Sequence, residues 1–360
     1  MRPWNWSALR AIGKGVPPPS LACALLIAMV AAAGCENVSS SSATQAATQV
    51  PGQCEPAPIA APADLRGRAG YTEITATVTD ANGAYVKGLG KDDFTVLVDG
   101  SQRQIEFFQP ESNSPASVGI LVDTSGSMKP KLPQARAAIT EFINDLKPQD
   151  DIFLVAFSTR HFLLQPLTTD HELVKKRLDL LRAYGNTALF DAIIDGKEKV
   201  ASGCYEKRVL FVITDGLDNA SKASVNDVAA EPRRSGVLIY SIGIGDPNVA
   251  DMNTPAIGPI VIGDSGIEFV DAKTLHSLAK ETGGRTFIIR QVGDGDSLKA
   301  ACQTIADDLR AQYTLGFVAP DSASAAATGQ LAVSLRDKPG LTVRTRQSVP
   351  LPSPSVTSTP

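Results

Sequence analysis

One apolar stretch of the sequence ends in three residues whose side chains carry oxygen. Residues 118–128 read VGILVDTSGSM, so Asp123, Ser125 and Ser127 follow directly on a run typical of a buried strand. A carboxylate and two hydroxyls at such a point suit a catalytic acid, a phosphate-binding loop or part of a metal site. The other residues expected to lie near this point decide among these three kinds of site.

Two further segments carry oxygen ligands at comparable places. Thr187 opens a predicted helix in YGNTALF, and Asp215 follows the apolar segment VLFVIT. In a doubly wound sheet the loops after the strands gather at one edge, where ligands bind, so we expect these side chains to converge with Asp123. The set offers carboxylates and hydroxyls but no histidine or cysteine, and such hard ligands favour a magnesium-like ion.

Other chemistries fit this set less well. A nucleophilic serine needs a neighbouring base, and none is in view. The segment DTSGSMK matches neither a dinucleotide-binding loop nor a Walker loop. An aspartic protease requires Asp-Thr-Gly in a β-rich fold, whereas Ser125 separates Thr124 from Gly126 here. Metal-assisted hydrolysis remains a remote alternative, because no general acid or base stands out beyond the carboxylates already named.

The surrounding sequence alternates between strand-like and helix-like patterns. Apolar runs such as VLFVIT and VLIYSIGIG, separated by helical stretches, are typical of a parallel sheet covered on both faces. The pattern predicts an α/β domain with a doubly wound, mostly parallel sheet, interrupted at 246–270 by a loop or hairpin. The predicted strands are 117–123, 151–158, 162–167, 207–214, 237–244 and 285–290, and the predicted helices are 131–147, 170–183, 187–202, 224–235, 271–282 and 296–312.

Strand-like segments also lie on both sides of this α/β unit. Three precede it and three follow it, the latter beginning with YTLGFVA. Two separate sheets of this size would each be only marginally stable. We therefore predict one β-sandwich into which the α/β domain is inserted, since domain termini often lie close together. The alternative is that these strands extend or cap the α/β sheet.

The N-terminus resembles an export signal. Arg2, Arg10 and Lys14 precede the apolar run LACALLIAMVAAAG, which is short for a membrane span. Small residues before Cys35 and a Ser/Thr-rich linker after it resemble the lipobox of bacterial lipoproteins. The resemblance implies cleavage before Cys35, lipidation of its thiol and membrane anchoring. Glu36 favours the outer membrane, on its periplasmic or surface face, over the inner one. An ordinary signal peptide is the alternative.

Composition argues against nucleic acid as the main partner. The 34 Lys+Arg and 38 Asp+Glu residues give a formal net charge of -4, with no concentrated basic block, whereas phosphate binding needs clustered cations. Three thiols remain beyond the predicted leader and Cys35: those of Cys54, Cys204 and Cys302. Their spacings match no zinc motif. The sequence alone does not decide whether two of them form a disulfide.

The three oxygen-bearing segments resemble those of the metal-ion-dependent adhesion site in von Willebrand factor type A domains. The apolar strand before DTSGS, the segment GNTALFDA and the later TDG occur in the family's order and spacing, over roughly 117–312. The flanking segments resemble those of exported bacterial proteins related to this family, of the acidobacterial type. The resemblance implies a binding domain with no catalytic residues and no catalysis.

The resemblance also implies a role for each residue of the site. Ser125 and Ser127 would coordinate the ion directly through their hydroxyls, and Asp123 and Asp215 would act mainly through bound waters. Thr187 would join directly or through water. Mg2+ is the expected ion, with Mn2+ or Ca2+ as alternatives, and an acidic side chain of a protein partner would fill the open coordination position.

Further residues are expected around this site rather than in it. Asp191 is expected to cap or pack within its helix, and capping of the next helix is equally an alternative for Asp218 and Asn219. The candidates for a partner-binding rim are Gly126, Asn186, Asp218 and Asn219.

Taken together, the sequence predicts a metal-dependent protein-binding lipoprotein for adhesion or scaffolding in the cell envelope. A structural envelope-assembly component that docks through its β-domain, with the metal incidental, is the alternative. The predicted divisions are a lipoprotein signal peptide at 1–34, a disordered tether at 35–66, strands at 67–112, the A domain at 115–312, strands at 313–349 and a disordered tail at 350–360.

Overall fold

The structure, a computed structural model, describes residues 61–110, 114–215, 217–230, 236–245, 270–290, 294–322 and 327–352. The chain divides into two units, Met1–Gln49 and Val50–Pro360, and every described residue belongs to the second. The predicted leader, Cys35 and all but the last residue of the 246–270 insertion lie outside the described residues. Within the described ranges, no helix is both long and apolar enough to cross a membrane.

Fourteen strands and seven α-helices are defined in these ranges. The strands are β1 (Tyr71–Thr79), β2 (Phe94–Val98), β3 (Ser101–Arg103), β4 (Ile105–Gln109), β5 (Ser117–Asp123), β6 (Asp151–Phe157), β7 (His161–Thr168), β8 (Arg208–Thr214), β9 (Leu238–Ile244), β10 (Thr286–Ile289), β11 (Gln312–Val318), β12 (Thr328–Leu335), β13 (Thr342–Thr345) and β14 (Ser348–Pro350). The helices are α1 (Ala63–Arg66), α2 (Leu132–Asp145), α3 (His171–Leu178), α4 (Leu189–Ala201), α5 (Val225–Ala230), α6 (Ala272–Thr282) and α7 (Gly295–Arg310).

The central sheet has six strands in the order β10-β9-β8-β5-β6-β7. All neighbours are parallel except β7, which returns antiparallel along β6. Strands β5, β6 and β9 are buried along their whole length. This explains why their sequences are continuously apolar, since helices cover both faces of the sheet. The predicted doubly wound α/β fold is confirmed.

The flanking strands form two antiparallel sheets of their own. Their orders are β13-β1-β11-β4 and β14-β12-β2-β3. Ile74 of β1 lies opposite Leu315 of β11, and Val96 of β2 lies opposite Val333 of β12, so each sheet combines strands from before and after the α/β domain. The two sheets share one hydrophobic core. The strands therefore form a sandwich-like part and do not extend the central sheet.

Four local features differ from the sequence expectation. The helix expected over 170–183 ends at Leu178, because the chain then turns to bury Leu181 while leaving Leu180 exposed. The short strand β3 was not predicted; Asp99 and Gly100 both have positive φ and form the tight hairpin that creates it. The expected tether contains α1, whose Leu65 is buried, and β14 reaches into the expected tail.

The cysteines divide into two kinds. Cys204, just before β8, is disulfide-bonded. Cys302 on α7 is free and fully buried, and burial raises the pKa of its thiol to about 12. Cys302 is therefore a small apolar core residue.

Candidate metal centre

Adjacent parallel strands bring the two acids of the site together. Asp123 ends β5, and Asp215 directly follows β8, which pairs with β5. Both carboxylates are buried, at 0% and 1% exposure. Asp123 accepts hydrogen bonds on both oxygens, from the Ser125 main-chain N–H at 2.7 Å and from the Thr214 hydroxyl at 2.6 Å. The carboxylate is therefore fixed in orientation at the carboxyl edge of the sheet.

Two serine hydroxyls connect this edge to Asp215. The Oγ atoms of Ser125 and Ser127 lie 3.1 Å apart, and the Ser127 hydroxyl donates to Oδ1 of Asp215 at 2.9 Å. Ser125 is buried, whereas Ser127 lies on the exposed face of the loop. A hydroxyl that donates its hydrogen to a carboxylate still has lone pairs on its oxygen, and these can bind a cation. A cation at this loop would find those lone pairs available.

The second loop is attached to the first through the main chain. The Gly126 N–H donates to the Gly185 carbonyl at 3.0 Å, and the Tyr184 N–H donates to the Thr124 carbonyl at 2.7 Å. Gly185 has φ +76°, and a Cβ there would come within 2.7 Å of the Thr159 hydroxyl oxygen. Glycine is therefore required for this close approach, which carries the chain to Thr187.

The third loop holds Thr187 in position. Thr187 is 3% exposed. Its N–H donates to the side-chain oxygen of Asn219 at 2.8 Å, and its carbonyl accepts from the N–H groups of Asn219 and Ala220. All three predicted segments thus meet at one edge, with Thr187 placed by Asn219.

Two acids near the site bind main-chain groups. Asp218 accepts the Phe190 N–H in the first turn of α4 at 2.9 Å, together with the Ser221 hydroxyl. Asp191 accepts the N–H groups of Lys222 and of the residue after it. Both acids therefore join the third loop to α4. Asp218 caps α4 rather than the helix that follows it, and Asp191 binds the loop rather than its own helix, so neither has the capping partner expected from the sequence. Gly126, Asn186 and Asn219 are exposed around the loops, and Asp218 is half-buried.

A lysine stands inside the site. Lys131, the residue before α2, is 1% exposed, and its Nζ lies 2.5 Å from Oδ2 of Asp215. The two oxygens of Asp215 are thus divided between the Ser127 hydroxyl and the Lys131 ammonium. Burial lowers the pKa of Lys131, and the neighbouring carboxylates of Asp215 and Asp123 oppose that shift.

The electrostatics of Asp123 differ from those of an exposed acid. Burial raises the pKa of Asp123 to about 6, and the nearby charge of Asp215 adds to the rise. The hydrogen bonds from Thr214 and Ser125 act in the opposite direction. Without a nearby cation other than Lys131, the two carboxylates are therefore costly to keep charged together.

The donor set fits a hard divalent cation. It combines two buried carboxylates with three hydroxyls, those of Ser125, Ser127 and Thr187, and contains no soft ligand. Within the described residues no group of three or more His, Cys, Asp and Glu side chains is arranged around a common point. Ser158 adds a buried hydroxyl without a hydrogen-bond partner among the described residues. Its Oγ lies 3.7 Å from where a Cβ of Gly185 would stand.

Sequence reasoning missed three contributors to this edge. Thr214 lies in the apolar strand β8 and looks like an ordinary β-branched residue, although its hydroxyl orients Asp123. Ser158 follows β6 with no motif around it. Lys131 lies in MKPKLPQ, a segment typical of an exposed turn. No local pattern in the sequence indicates that the Lys131 side chain is buried.

The domain belongs to a known family. Residues 117–300, slightly more than half of the chain, match the von Willebrand factor type A domain. The chain is therefore a member of the von Willebrand factor type A family. This confirms the family resemblance, and members of the family are known as protein-interaction domains.

Individual relatives are distant and only partly covered. A protein of Borreliella burgdorferi described as uncharacterized is 29% identical over 198 residues, covering 52% of this chain and 57% of the relative. Human inter-alpha-trypsin inhibitor heavy chain H4 is 26% identical over 159 residues, covering 39% of this chain and 17% of the relative. A solved structure of proximal thread matrix protein 1 from the mussel byssus, described as having a zinc-occupied MIDAS motif, is 17% identical, covers 56% of this chain and 46% of its own, and gives a TM-score of 0.41.

Proposed function

We propose that this protein captures an acidic group of a protein partner through Mg2+ held at the edge formed by Asp123, Ser125, Ser127, Thr187 and Asp215. Mn2+ or Ca2+ are alternative occupants. The bound ion would supply an electrophilic centre for the partner's carboxylate. The protein would act as an adhesion or scaffold component, and no catalytic step is proposed.

One observation carries this proposal. The Ser125 and Ser127 hydroxyls form a hydrogen-bonded chain that ends on the buried carboxylate of Asp215. This series of hydrogen bonds begins at the buried Ser125 and passes through the exposed Ser127. Oxygen lone pairs therefore lie on a loop that faces solvent, while the negative charge of Asp215 is buried. Few direct charged ligands leave a bound divalent ion in need of an anionic oxygen.

The cellular setting is part of the proposal. Lipidation of Cys35 would anchor the chain in a membrane, with the outer membrane preferred. The disulfide at Cys204 supports export, because disulfides persist in oxidising compartments. Metabolic labelling with a fatty acid, compared between the wild type and Cys35→Ser, tests the anchor separately from the metal site.

The partner-binding claim is tested by cross-linking in intact cells. Adducts should form in Mg2+, disappear with EDTA and be absent from Ser125→Ala. Thr124→Val is the matched control, because the Thr124 hydroxyl donates to the Phe157 carbonyl and does not belong to the donor set. Adducts that survive both EDTA and Ser125→Ala would contradict the proposal.

A second candidate function is docking through the β-sandwich. A cleft of about 470 Å3 lies beside β2 and β3. Three of its lining residues are cationic, Lys91, Arg103 and Arg336, against one acid, Asp92. If capture survives removal of the metal but fails when Arg103 and Arg336 are both replaced by Gln, the sandwich is the docking surface and the metal is incidental.

A further inference from the structure

The buried lysine at the site has no role in the function proposed so far. Lys131 is fixed from several sides: its N–H donates to the Met128 carbonyl at 2.9 Å, and its carbonyl accepts the Ala135 N–H in the first turn of α2. Its side chain is 1% exposed and ends on Oδ2 of Asp215. The position of Lys131 in the fold therefore holds its side chain at Asp215.

The charges of the site can be counted directly. Asp123 and Asp215 contribute two negative charges, and Lys131 contributes one positive charge. A divalent cation brought to this edge would leave one net positive charge, whereas without Lys131 the same site would be neutral. A buried charge is unfavourable unless it is compensated. This net positive charge would favour an anion from outside the site.

The Lys131 ammonium and a divalent cation can be present at the site together, because the two groups would contact different atoms of Asp215. Lys131 contacts Oδ2 of Asp215, while the Ser127 hydroxyl contacts Oδ1. The serine side of the carboxylate lies on the exposed loop, and the lysine side is buried. An ion held by the serine hydroxyls would therefore lie nearer Oδ1 of Asp215, while the ammonium contacts Oδ2.

We propose that Lys131 is a specificity-determining residue that makes cation binding at this site depend on an external carboxylate. The ammonium weakens the binding of the cation alone and strengthens the coupling between the cation and an anionic ligand. The inference rests on the proposed function in one respect, namely that the site holds a divalent cation.

The experiment is calorimetric titration of the full-length protein with Mg2+ alone and with Mg2+ in sodium acetate. Acetamide with matched sodium chloride is the neutral reference for acetate. Lys131→Met should bind Mg2+ alone at least about tenfold more tightly than the wild type, because a unit charge a few ångströms from a bound ion acts strongly at a protein's effective dielectric constant. Acetate should tighten Mg2+ binding in the wild type and have a much smaller effect in the variant.

Two control variants separate charge from packing. Lys131→Arg keeps the charge and should behave like the wild type. Lys197→Met removes another buried lysine, which is 4% exposed and donates to the Val228 carbonyl at 2.8 Å, and should leave Mg2+ affinity unchanged. Thermal unfolding in EDTA checks that each variant folds. If Lys131→Met does not fold, Lys131→Gln takes its place in the titration.

The outcomes are distinct. If the wild type binds no divalent cation, the proposed function and this inference both fail. If the wild type binds Mg2+ but Lys131→Met binds it equally or more weakly, only the inference fails and Lys131 is a stabilising residue. Mg2+ binding in the wild type that is the same in acetate and in acetamide would also overturn the inference, without any variant.

Discussion

The two edges of the central sheet both contain buried acids, but these acids bind different partners. At the amino edge, Asp150 accepts the main-chain N–H groups of Ala116 and Lys147, at 2.7 and 2.8 Å. There too, Asp308 is 0% exposed and accepts from Arg344. At the carboxyl edge, the acids accept from hydroxyls and from a lysine. The amino-edge acids therefore act as structural anchors, while the hydroxyl partners of the carboxyl-edge acids retain lone pairs.

The pair of Asp308 and Arg344 shows how complete the anchoring is. One guanidinium nitrogen of Arg344 lies 2.5 Å from both carboxylate oxygens, and another donates to the Gly284 carbonyl at 3.0 Å. The Tyr240 hydroxyl adds a hydrogen bond to Asp308 at 2.5 Å. Since Asp308 lies on α7 and Arg344 on β13, the pair fastens the last helix of the A domain to the sandwich.

The largest effect is expected when this anchor is broken. Arg344→Met leaves the Asp308 carboxylate buried without its cation, and loss of one partner of a buried pair costs about 3 to 5 kcal/mol. Urea unfolding should report a loss of that size. Mg2+ affinity should stay unchanged. A variant of wild-type stability, or one with altered Mg2+ affinity, would show that the two edges do not have separate roles.

The second-largest effect is expected on the pH dependence of the free energy of unfolding, to which Asp123 contributes. The pKa of Asp123 is about 6 in the folded protein against its ordinary value of 3.8, so the folded state binds more protons than the unfolded state between those values. This contribution lowers the free energy of unfolding as pH rises from about 4 to about 6. Asp123→Asn removes it. In EDTA, the variant should therefore gain about 2 to 3 kcal/mol relative to the wild type across that window.

The prediction for Asp123→Asn can be contradicted by one measurement. Chemical unfolding of both proteins at a series of pH values measures the difference directly. A difference that stays constant from pH 4 to pH 6.5 would mean that Asp123 is compensated in the metal-free protein as fully as the amino-edge acids are. Adding Mg2+ should stabilise the wild type but not the variant, because a bound cation favours the charged carboxylate.

A smaller effect is expected at Asp218. Its carboxylate accepts the Phe190 N–H at the start of α4, so Asp218→Ala should cost about 1 kcal/mol, as loss of a helix cap does. Partner cross-linking should be reduced little. If cross-linking is lost while the free energy of unfolding is unchanged, Asp218 contacts the partner and the helix cap is incidental.

The sequence predicted the carboxyl edge of the sheet better than the amino edge. Asp123, Thr187 and Asp215 could be placed on one edge because each follows an apolar run or opens a helix, and parallel strands align their ends. The burial of Lys131 could not be predicted, because a lysine beside a proline usually lies in an exposed turn. The contact between Asp308 and Arg344 joins residues on α7 and β13, and no local pattern in the sequence encodes such a pairing.

Asp218 and Asn219 illustrate the intermediate case. Their sequence, LDN after an acid-glycine pair, is equally typical of a helix cap and of a ligand loop. The hydrogen bonds to Phe190 and Thr187 assign them a structural role that depends on the three-dimensional meeting of two loops. Their side chains also stand near the exposed surface, so partner contact remains a separate prediction.

The most direct test of the account is calorimetric titration of the full-length protein with Mg2+, for the wild type, Ser125→Ala and Thr124→Val. The account predicts one Mg2+ bound per chain in the wild type and in Thr124→Val. It predicts at least about a hundredfold weaker binding in Ser125→Ala, since a lost direct ligand costs several kcal/mol. Absence of binding in the wild type for Mg2+, Mn2+ and Ca2+, or equal binding in all three proteins, would contradict it.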